Sequence, residues 1–350
     1  NQTKTELEGN DILWKSGDRL GLFCGTRFVN APFTTTAGGT ASADFTGDPT
    51  DPAGSEAEAF YAYYPYSANA ATEGVVVSGL SIPAAQTFAA NSFATELCPM
   101  ATSGSDYNRL SFRTIGTVLK FQVTGQKNVT KLELTGNNGE ALAGDYTIDF
   151  SGDIPEMKFV GTETALTLTC SEPIALDDAS ATAFYFVLPA GIEFTKGITV
   201  KVYTDDIAEP MVKEYASPLT TRPNKLVTVK AFTYSVPVST VEEANAAFSE
   251  GASGVTITST TDLVAPATLE IPNTFAPGAS ASIEIEQPVS TDVTITETTS
   301  AADQSLPETL SVEMETTASL IINTPSLTVA LEGSYADIEA ATADNTLIVA

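Results

Sequence analysis

The residue types that most often carry out catalysis are scarce in this chain. It has no histidine and only three cysteines, Cys24, Cys98 and Cys170. A Ser-His-Asp or Cys-His site needs an imidazole as its base near neutral pH, and zinc sites usually use histidines or clustered cysteines. The cysteines lie far apart with no CxxC spacing, so we expect buried free thiols in preference to a disulfide with one unpaired thiol. The sequence predicts no catalytic, cofactor-binding or metal-ligating residue, and a protein that is not an enzyme.

Carboxylates are the one chemically active type in excess, with 44 Asp and Glu residues. A pair of them could hydrolyse a glycosidic bond, and such a pair is not recognisable without a fold. Acidic pairs in loops also raise the question of calcium, although none matches an EF-hand or RTX-type pattern, so we interpret them as solvated loops. These pairs are Asp48 with Asp51, Asp177 with Asp178, and Asp205 with Asp206.

The net charge limits the partners. The chain of 350 residues has 16 Lys and Arg and a formal charge of −28 at pH 7. Such a charge repels nucleic-acid phosphates and anionic lipid head groups. No apolar run reaches the roughly 18 residues of a membrane span, and no signal peptide opens the sequence. If the protein is exported, we expect its targeting segment upstream of Asn1.

One short segment, AFYAYYPY at 59–66, could be a stacking surface for a sugar or a framework strand. In a strand, Phe60, Ala62 and Tyr64 would point to one side and Tyr61 and Tyr63 to the other. Nothing polar converges around it in the sequence, so we favour the framework strand over a sugar platform.

The chain divides by charge and by strand pattern. All basic residues lie at or before Lys230, and residues 238–350 hold 17 acidic residues and no basic one. We predict a boundary there with a hinge at 236–239, and a second boundary near 125, giving domains 1–125, 126–237 and 238–350. Short alternating segments separated by Gly, Pro, Asn and Asp predict antiparallel β-sandwiches in the first two. The segments are 20–23, 60–64, 75–77, 110–112, 118–123, 131–134, 146–150, 165–169, 184–188, 198–203 and 226–232.

The acidic region 238–350 has a different pattern. Thr240 and Glu243 form a capping-box pattern that predicts a short helix with an apolar face at Val241, Ala244, Ala247 and Phe248. Very short strands follow at 255–258, 268–271, 282–286, 292–297, 309–314, 319–322, 326–331, 336–340 and 346–349. Because NG and DG hairpin turns are missing, we predict a parallel β-solenoid capped by the helix, with a third sandwich as the alternative.

Ordered motifs over residues 1–235 resemble the fimbrillin-like (type V pilus, Mfa-like) family of Bacteroides-type bacteria. They include WKSGDRLGLF (14–23), FYAYYPYS (60–67), CPMAT (98–102), RLSFRTIGTVLKFQV (109–123), LAGDYTIDF (142–150), FYFVLPAG (184–191) and TRPNKLVTV (221–229). The resemblance implies two tandem transthyretin-like β-sandwich domains, a lipoprotein anchored in the outer membrane, and a place at the cell surface or in a fimbria (pilus). It brings no catalytic residues.

The chain departs from the family pattern in two respects, and the site of the family's proteolytic cleavage is not assigned in it. Region 238–350 is absent from a plain shaft subunit and resembles stacked-rung domains of some surface adhesins. The family's first strand and any lipid-bearing cysteine are expected upstream of residue 1. Polymerising members are cleaved at a basic residue near the N-terminus; Lys4, Lys15, Arg19 and Arg27 are basic, and we assign none of them.

We weigh two functions. The first is a non-catalytic cell-surface adhesion protein or pilus component, with other pilin subunits or host or bacterial surface receptors as partners, no cofactor, and membrane contact only through an upstream lipid anchor. The alternative is a glycan-binding or carbohydrate-active protein using the solenoid. Region 238–350 has no Trp, one Tyr and two Phe, which favours the first function, because aromatic anchors dominate recognition sites.

An uncapped last strand at 346–349 would leave an open edge that could pair with another subunit. The acidity of the region nevertheless predicts a monomer in dilute solution, with any self-association growing as salt rises.

Overall fold

β-strands form nearly all of the regular structure of this protein. The structure, a computed structural model, describes residues 6–8, 11–94, 96–207, 209–259, 263–275, 278–298, 305–324, 327–340 and 346–349. Within these ranges there is one α-helix, Val241–Ser249, and no helix is long and apolar enough to cross a bilayer. The predicted all-β fold class is confirmed.

The strands are numbered in chain order. Those before residue 115 are β1 (Glu6–Glu8), β2 (Asp11–Leu13), β3 (Arg19–Cys24), β4 (Phe28–Thr35), β5 (Phe45–Thr46), β6 (Phe60–Tyr64), β7 (Ala71–Glu73), β8 (Val76–Ile82), β9 (Ala85–Thr87), β10 (Met100–Gly104) and β11 (Arg113–Thr114). The next are β12 (Gly116–Thr124), β13 (Asn128–Gly136), β14 (Gly144–Asp149), β15 (Glu156–Phe159), β16 (Ala165–Ala175), β17 (Thr182–Pro189), β18 (Glu193–Phe194), β19 (Ile198–Thr204), β20 (Met211–Tyr215), β21 (Leu219–Thr220), β22 (Lys225–Thr228), β23 (Phe232–Thr233) and β24 (Val236–Val238). Helix α1 (Val241–Ser249) is followed by β25 (Gly254–Ile257), β26 (Ala267–Pro272), β27 (Ser280–Ile285), β28 (Val293–Thr298), β29 (Thr309–Asn323), β30 (Thr328–Ala340) and β31 (Thr346–Val349).

Two antiparallel sheets pack face to face in the first sandwich. Their strand orders are β11-β10-β6-β3-β4-β5 and β15-β14-β8-β7. The core between them includes Phe23, Tyr63, Val77 and Ile148. Strands β14 and β15 come from beyond residue 125, so strand pairing crosses the predicted boundary between the first two domains. The boundary itself stays a prediction.

Strand β6 carries the aromatic segment and is a framework strand, as predicted. Tyr61 and Tyr63 pack in the core between the two sheets, whereas Phe60 and Ala62 belong to a separate cluster on the other face of the sheet. All but Tyr61 of these side chains are buried. A Cβ atom on Gly21, which pairs with Tyr63 across the sheet, would collide with the Tyr63 ring. Glycine at that position therefore makes room for the ring.

The second sandwich contains a sheet of order β20-β19-β13-β16-β9 and a sheet of order β17-β12-β22, with β23 also paired to β12. Their shared core contains Phe121, Leu132, Phe184 and Val200, all fully buried. One strand of this sandwich, β9, precedes residue 115, so the two sandwiches exchange strands in both directions. Residues 110–112 were predicted as a strand, which is wrong. They lie in the loop that precedes β11.

The region beyond residue 235 is a parallel β-solenoid. Every pairing between two of its numbered strands is parallel, and an isolated bridge between Phe275 and Ser305 is antiparallel. One face stacks β24, β25, β27 and the first parts of β29 and β30, followed by β31; the other stacks β26, β28 and the second parts of β29 and β30. An antiparallel third sandwich is thereby excluded for these strands. The segments 309–314 and 319–322, predicted as separate strands, are two parts of β29.

The register of the rungs explains the alternation in the sequence. Val255, Ile283, Val312 and Leu331 pair in one column and are buried in the solenoid core. Side chains one position further along each strand point to the opposite side of the sheet. The outward column thus contains three stacked glutamates, Glu284, Glu313 and Glu332.

Helix α1 closes the first rung, as the capping-box pattern predicts. The Glu243 backbone N–H donates to Thr240 Oγ1 at 3.1 Å, and the Glu243 carboxylate accepts from the Ser239 N–H at 2.7 Å. Ala244 and Phe248 are buried in the solenoid core, and the helix packs on β24, β25 and β26. The apolar face of the helix thus covers the end of the solenoid core, which would otherwise be exposed at the first rung.

The predicted hinge at 236–239 is not an open linker. Residues 236–238 form β24, which pairs with β25, and Ser235 is buried and hydrogen-bonded to Thr256 at 2.5 Å. Pro237 is compatible with this position because β24 is the edge strand of its stack. On the side facing away from β25 no strand needs a hydrogen bond from the missing N–H.

Candidate functional site

The three cysteines are buried free thiols, as predicted. Burial raises the pKa of Cys98 to about 12 and that of Cys170 to about 11. A thiol with so high a pKa is protonated at neutral pH and is a poor nucleophile. These residues are part of the cores around them.

The acidic loop pairs lie at the surface, and most of their carboxylates accept hydrogen bonds or form ion pairs. Asp177 accepts hydrogen bonds from the Ala179 and Ser180 N–H groups at 2.7 and 2.9 Å. Asp206 pairs with Lys127 at 2.7 Å, and this hydrogen bond lowers the Asp206 pKa. Among the described residues, no group of three or more His, Cys, Asp or Glu side chains is placed to hold a metal ion.

A concave surface of about 700 Å³ lies on the outward face of the six-stranded sheet of the first sandwich. Its floor is apolar and is formed by Leu20 and Leu22 of β3 and by Met100 of β10, all buried. The volume falls within the range of sites that bind small molecules. Five half-buried aromatic side chains form its walls: Trp14, Phe33, Phe45, Tyr107 and Phe112. We call this surface the aromatic cleft.

Trp14 is the central ring of the cleft. Its ring lies edge-to-face against Phe45, Phe112 and the buried Tyr64, with centroid distances of 4.9, 5.5 and 5.5 Å. Edge-to-face pairs at these separations are favourable beyond the area they bury. The three neighbours leave the indole little freedom to turn, while part of its surface remains accessible.

The backbone around Trp14 is held by the turn that precedes β3. The Trp14 N–H donates to the Thr40 carbonyl at 2.8 Å. Asp18 is fully buried in this turn, and its carboxylate accepts from the Lys15 N–H at 2.8 Å and from the Tyr64 hydroxyl at 3.0 Å. A buried carboxylate needs such partners. The same network therefore connects the base of the cleft to the framework strand β6.

The opposite wall is the loop before β11. The Asp106 side chain accepts from the backbone N–H and the side-chain amide of Asn108 at 3.0 and 3.1 Å. The Tyr107 hydroxyl donates to Glu56 at 2.9 Å, which raises the pKa of Tyr107. Glu56 also pairs with Arg27 at 3.3 Å. These contacts attach the loop to the outer surface of the same sandwich.

Polar side chains lie at the margin of the aromatic cleft. Asp44, Asn108 and Arg113 line it and are exposed. Within the described residues, neither Asp44 nor Arg113 takes part in an ion pair, and Asp44 is the single acidic residue of the lining. The cleft thus combines ring surfaces with one carboxylate, one guanidinium and two side-chain amides, those of Asn108 and Asn224.

A second concave region, of about 360 Å³, lies between the second sandwich and the solenoid. Here Lys213 of β20 contacts Glu284 at 3.3 Å and Glu313 at 3.0 Å, and Lys230 contacts Glu332 at 2.7 Å. We call these five residues the lysine–glutamate contact. Burial raises the pKa of Glu284 even though Lys213 opposes the shift. Burial acts to lower the pKa of Lys213, but the two carboxylates outweigh it and the pKa is raised. The charges are paired, so this region joins two parts of the chain.

Among its described residues, the solenoid has one aromatic ring that is not buried, that of Tyr335, and no cluster of rings. Phe248 and Phe275 are buried in its core. Tyr335 is half-buried, and its hydroxyl donates to the Val312 and Glu332 carbonyls at 3.2 and 2.8 Å. Recognition through aromatic anchors is therefore better supported on the first sandwich than on the solenoid.

Comparisons with known proteins give distant similarities. No protein-family model matches the chain, and no curated protein matches it significantly. A solved structure from Bacteroides uniformis ATCC 8492, of a protein with an ascribed role in cell adhesion, is 13% identical, with 67% of this chain and 93% of that chain covered and a TM-score of 0.39. Another from Bacteroides fragilis NCTC 9343, with the same ascribed role, is 10% identical, with coverages of 61% and 78% and a TM-score of 0.32.

Sequence patterns did not reveal the aromatic cleft. Its rings come from four separate segments, and only the fold brings Trp14, Phe45 and Phe112 together. One signal was present, since Trp14 is the only tryptophan in the chain and tryptophan is enriched at recognition sites. Phe112 was predicted to lie in a strand at 110–112, so the loop that carries it was not recognised.

Proposed function

We propose that this chain is a cell-surface adhesion protein that binds a receptor and does not catalyse a reaction. The aromatic cleft is the observation that carries the proposal. Concave surfaces that combine aromatic rings with a few polar groups are the usual form of binding sites, and aromatic anchors contribute most of the binding energy at recognition surfaces. The resemblance of residues 1–235 to fimbrillin-like proteins supports the same function.

The composition of the aromatic cleft favours binding over turnover. Glycoside hydrolysis needs two carboxylates on opposite sides of the bond, and Asp44 is the only carboxylate among the described lining residues. The chain has no histidine to act as a base, and its thiols are buried. A ligand in the cleft would meet groups that hold it and none arranged to cleave it.

The solenoid fits the role of a spacer in this proposal. Lys213 and Lys230 connect its outward glutamates to the second sandwich, and paired charges at partly buried sites favour one orientation of the two parts. Attachment by an upstream lipid anchor, membership of a pilus, and the position at its tip or base belong to the same proposal and rest on the resemblance alone.

The proposal is tested in the bacterium that carries the gene. Deleting the gene should lower adherence to host cells or to neighbouring bacteria, and the full chain should restore it. Brief protease treatment of intact cells should remove the protein, because a surface protein is accessible from outside. Unchanged adherence after deletion, or complete resistance in intact cells with digestion only after lysis, would refute surface adhesion. Turnover of a glycan by the purified chain, abolished by one Asp or Glu substitution, would refute the non-catalytic part.

A further inference from the structure

We propose that the aromatic cleft binds a neutral glycan, that is, a short sugar chain without carboxylate or sulfate groups. The inference rests on the proposed function, because the glycan would be the receptor or part of it. It differs from a site on the solenoid, where the described residues provide one ring that is not buried, that of Tyr335, and no cluster of rings. The ligand class follows from the rings, the polar margin and the charge of the cleft.

The rings match the apolar faces of sugars. Phe45 and Phe112 both pack against Trp14, and all three rings are half-buried, so each presents a fixed part of its surface to the cleft. Sugar rings carry C–H groups on one or both faces that pack on such surfaces, and a rigid ring loses little entropy on binding. The two phenylalanine rings both stand at 79° to the indole. A ligand with several sugar units could therefore contact more than one ring.

The polar margin matches hydroxyl groups. A carboxylate only accepts hydrogen bonds, a guanidinium only donates them, and a side-chain amide does both. Asp44, Arg113 and Asn108 supply one of each at the margin of the cleft. A sugar hydroxyl donates and accepts, so it can pair with any of the three. A purely aliphatic ligand would leave the polar groups unpaired, at a cost in free energy.

The charge of the cleft favours a ligand without charge. Asp44 and Arg113 offset each other among the described lining residues, while the whole chain carries −28. The long-range field therefore repels anions, such as sialylated or sulfated glycans, and no excess of local cations compensates. The volume of about 700 Å³ accommodates a short oligosaccharide better than one sugar ring, since binding sites usually enclose most of their ligand.

The experiment uses the full chain and neutral oligosaccharides built on galactose, mannose, glucose, fucose or N-acetylglucosamine, with sialylated and sulfated versions alongside. Trp14 is the only tryptophan, so its fluorescence reports the cleft directly. We expect at least one neutral glycan to bind and to change the tryptophan emission with the same dissociation constant that calorimetry gives. Phe112→Leu keeps an apolar side chain and removes the ring; we expect it to weaken binding about tenfold or more.

A matched control separates the loss of a cleft ring from the loss of any ring. Tyr203 is a half-buried aromatic residue of the second sandwich, outside the cleft, and Tyr203→Ala should leave binding unchanged. Arg113→Met, on the exposed margin, should weaken binding without changing the melting temperature. The inference is overturned if no neutral glycan binds, if only the anionic versions or a peptide bind, if binding leaves the Trp14 emission unchanged, or if Phe112→Leu and Tyr203→Ala have equal effects. Adherence lost on gene deletion without glycan binding would refute this inference alone, whereas glycan binding without any role in adherence would refute the proposed function.

Discussion

Lys213→Met should destabilise the attachment of the solenoid to the second sandwich, because Lys213 is largely buried between two glutamates. Lys213 is 17% exposed and lies between Glu284 and Glu313, which are 22% and 48% exposed. Adjacent parallel strands are about 4.8 Å apart, so the stacked glutamates repel one another unless a cation lies beside them. Methionine keeps most of the length and the apolar stem of lysine and removes only its charge. The substitution would leave Glu284 partly buried without its cation.

The magnitude follows from the degree of burial. Exposed ion pairs contribute about 0–1 kcal/mol, whereas removing one partner of a fully buried pair costs about 3–5 kcal/mol. Lys213 lies between these cases, so we expect a loss of about 2 kcal/mol. Lys158→Met is the matched control, because Lys158 and Glu156 form a pair of 2.6 Å at 54% and 66% exposure. Despite its shorter distance, that pair should give little change.

Hydrogen exchange of β27 and β29 measures the effect locally, which avoids assuming that the whole chain unfolds in one step. The pH dependence checks its cause. Because the folded pKa of Glu284 is raised, its ionisation opposes folding above that pKa, and the cost disappears as pH falls towards the unfolded value of about 4.3. The deficit of Lys213→Met should therefore shrink as pH falls from neutral to about 4. A deficit equal to that of Lys158→Met, or one independent of pH over this range, would refute the reasoning.

Other substitutions test the rest of the fold. Tyr63→Phe removes the hydroxyl that bonds to Asn30 at 2.7 Å and to the Ser67 carbonyl at 3.0 Å and should cost about 1–3 kcal/mol; a urea midpoint by Trp14 fluorescence equal to that of wild type would contradict it. Thr240→Ala should cost about 1 kcal/mol and speed amide exchange in the first turn of α1, while retained protection there would argue against the cap. Ile295→Ala should cost about 2–5 kcal/mol because Ile295 is fully buried; circular dichroism should show a lower melting temperature, and an unchanged one would place that side chain outside the core.

The solenoid could be predicted from the sequence because each rung repeats one local rule. Branched apolar residues alternate with Thr, Ser or Glu in 282–286 and 292–297, and one buried face with one outward face produces that alternation. Strand lengths and missing hairpin turns then separated a parallel stack from a sandwich. The segments 309–314 and 319–322 were predicted as two strands, whereas they are two parts of β29. A strand that bends while its backbone pairing continues leaves no clear signal in residue types.

The aromatic cleft and the exchange of strands between sandwiches could not be predicted in the same way. Pairing of β8 with β14 depends on contacts between residues that are far apart in the chain, and each strand alone fits several partners. The cleft depends on loops, whose path is set by contacts such as that of Tyr107 with Glu56. Loops commonly carry function and follow no periodic pattern, so residue spacing gave no indication of the site.

The lysine–glutamate contact gives physical meaning to the abrupt end of basic residues at Lys230. Region 238–350 has 17 acidic residues and no basic one, so it contains no cation to offset the stacked column of Glu284, Glu313 and Glu332. The cations come from the preceding sandwich, and the last of them, Lys230, contacts Glu332. A sharp change of charge is often interpreted as a boundary between independent units. Here the acidic side of the change is stabilised by the basic side, so the two sides are expected to depend on each other through this contact.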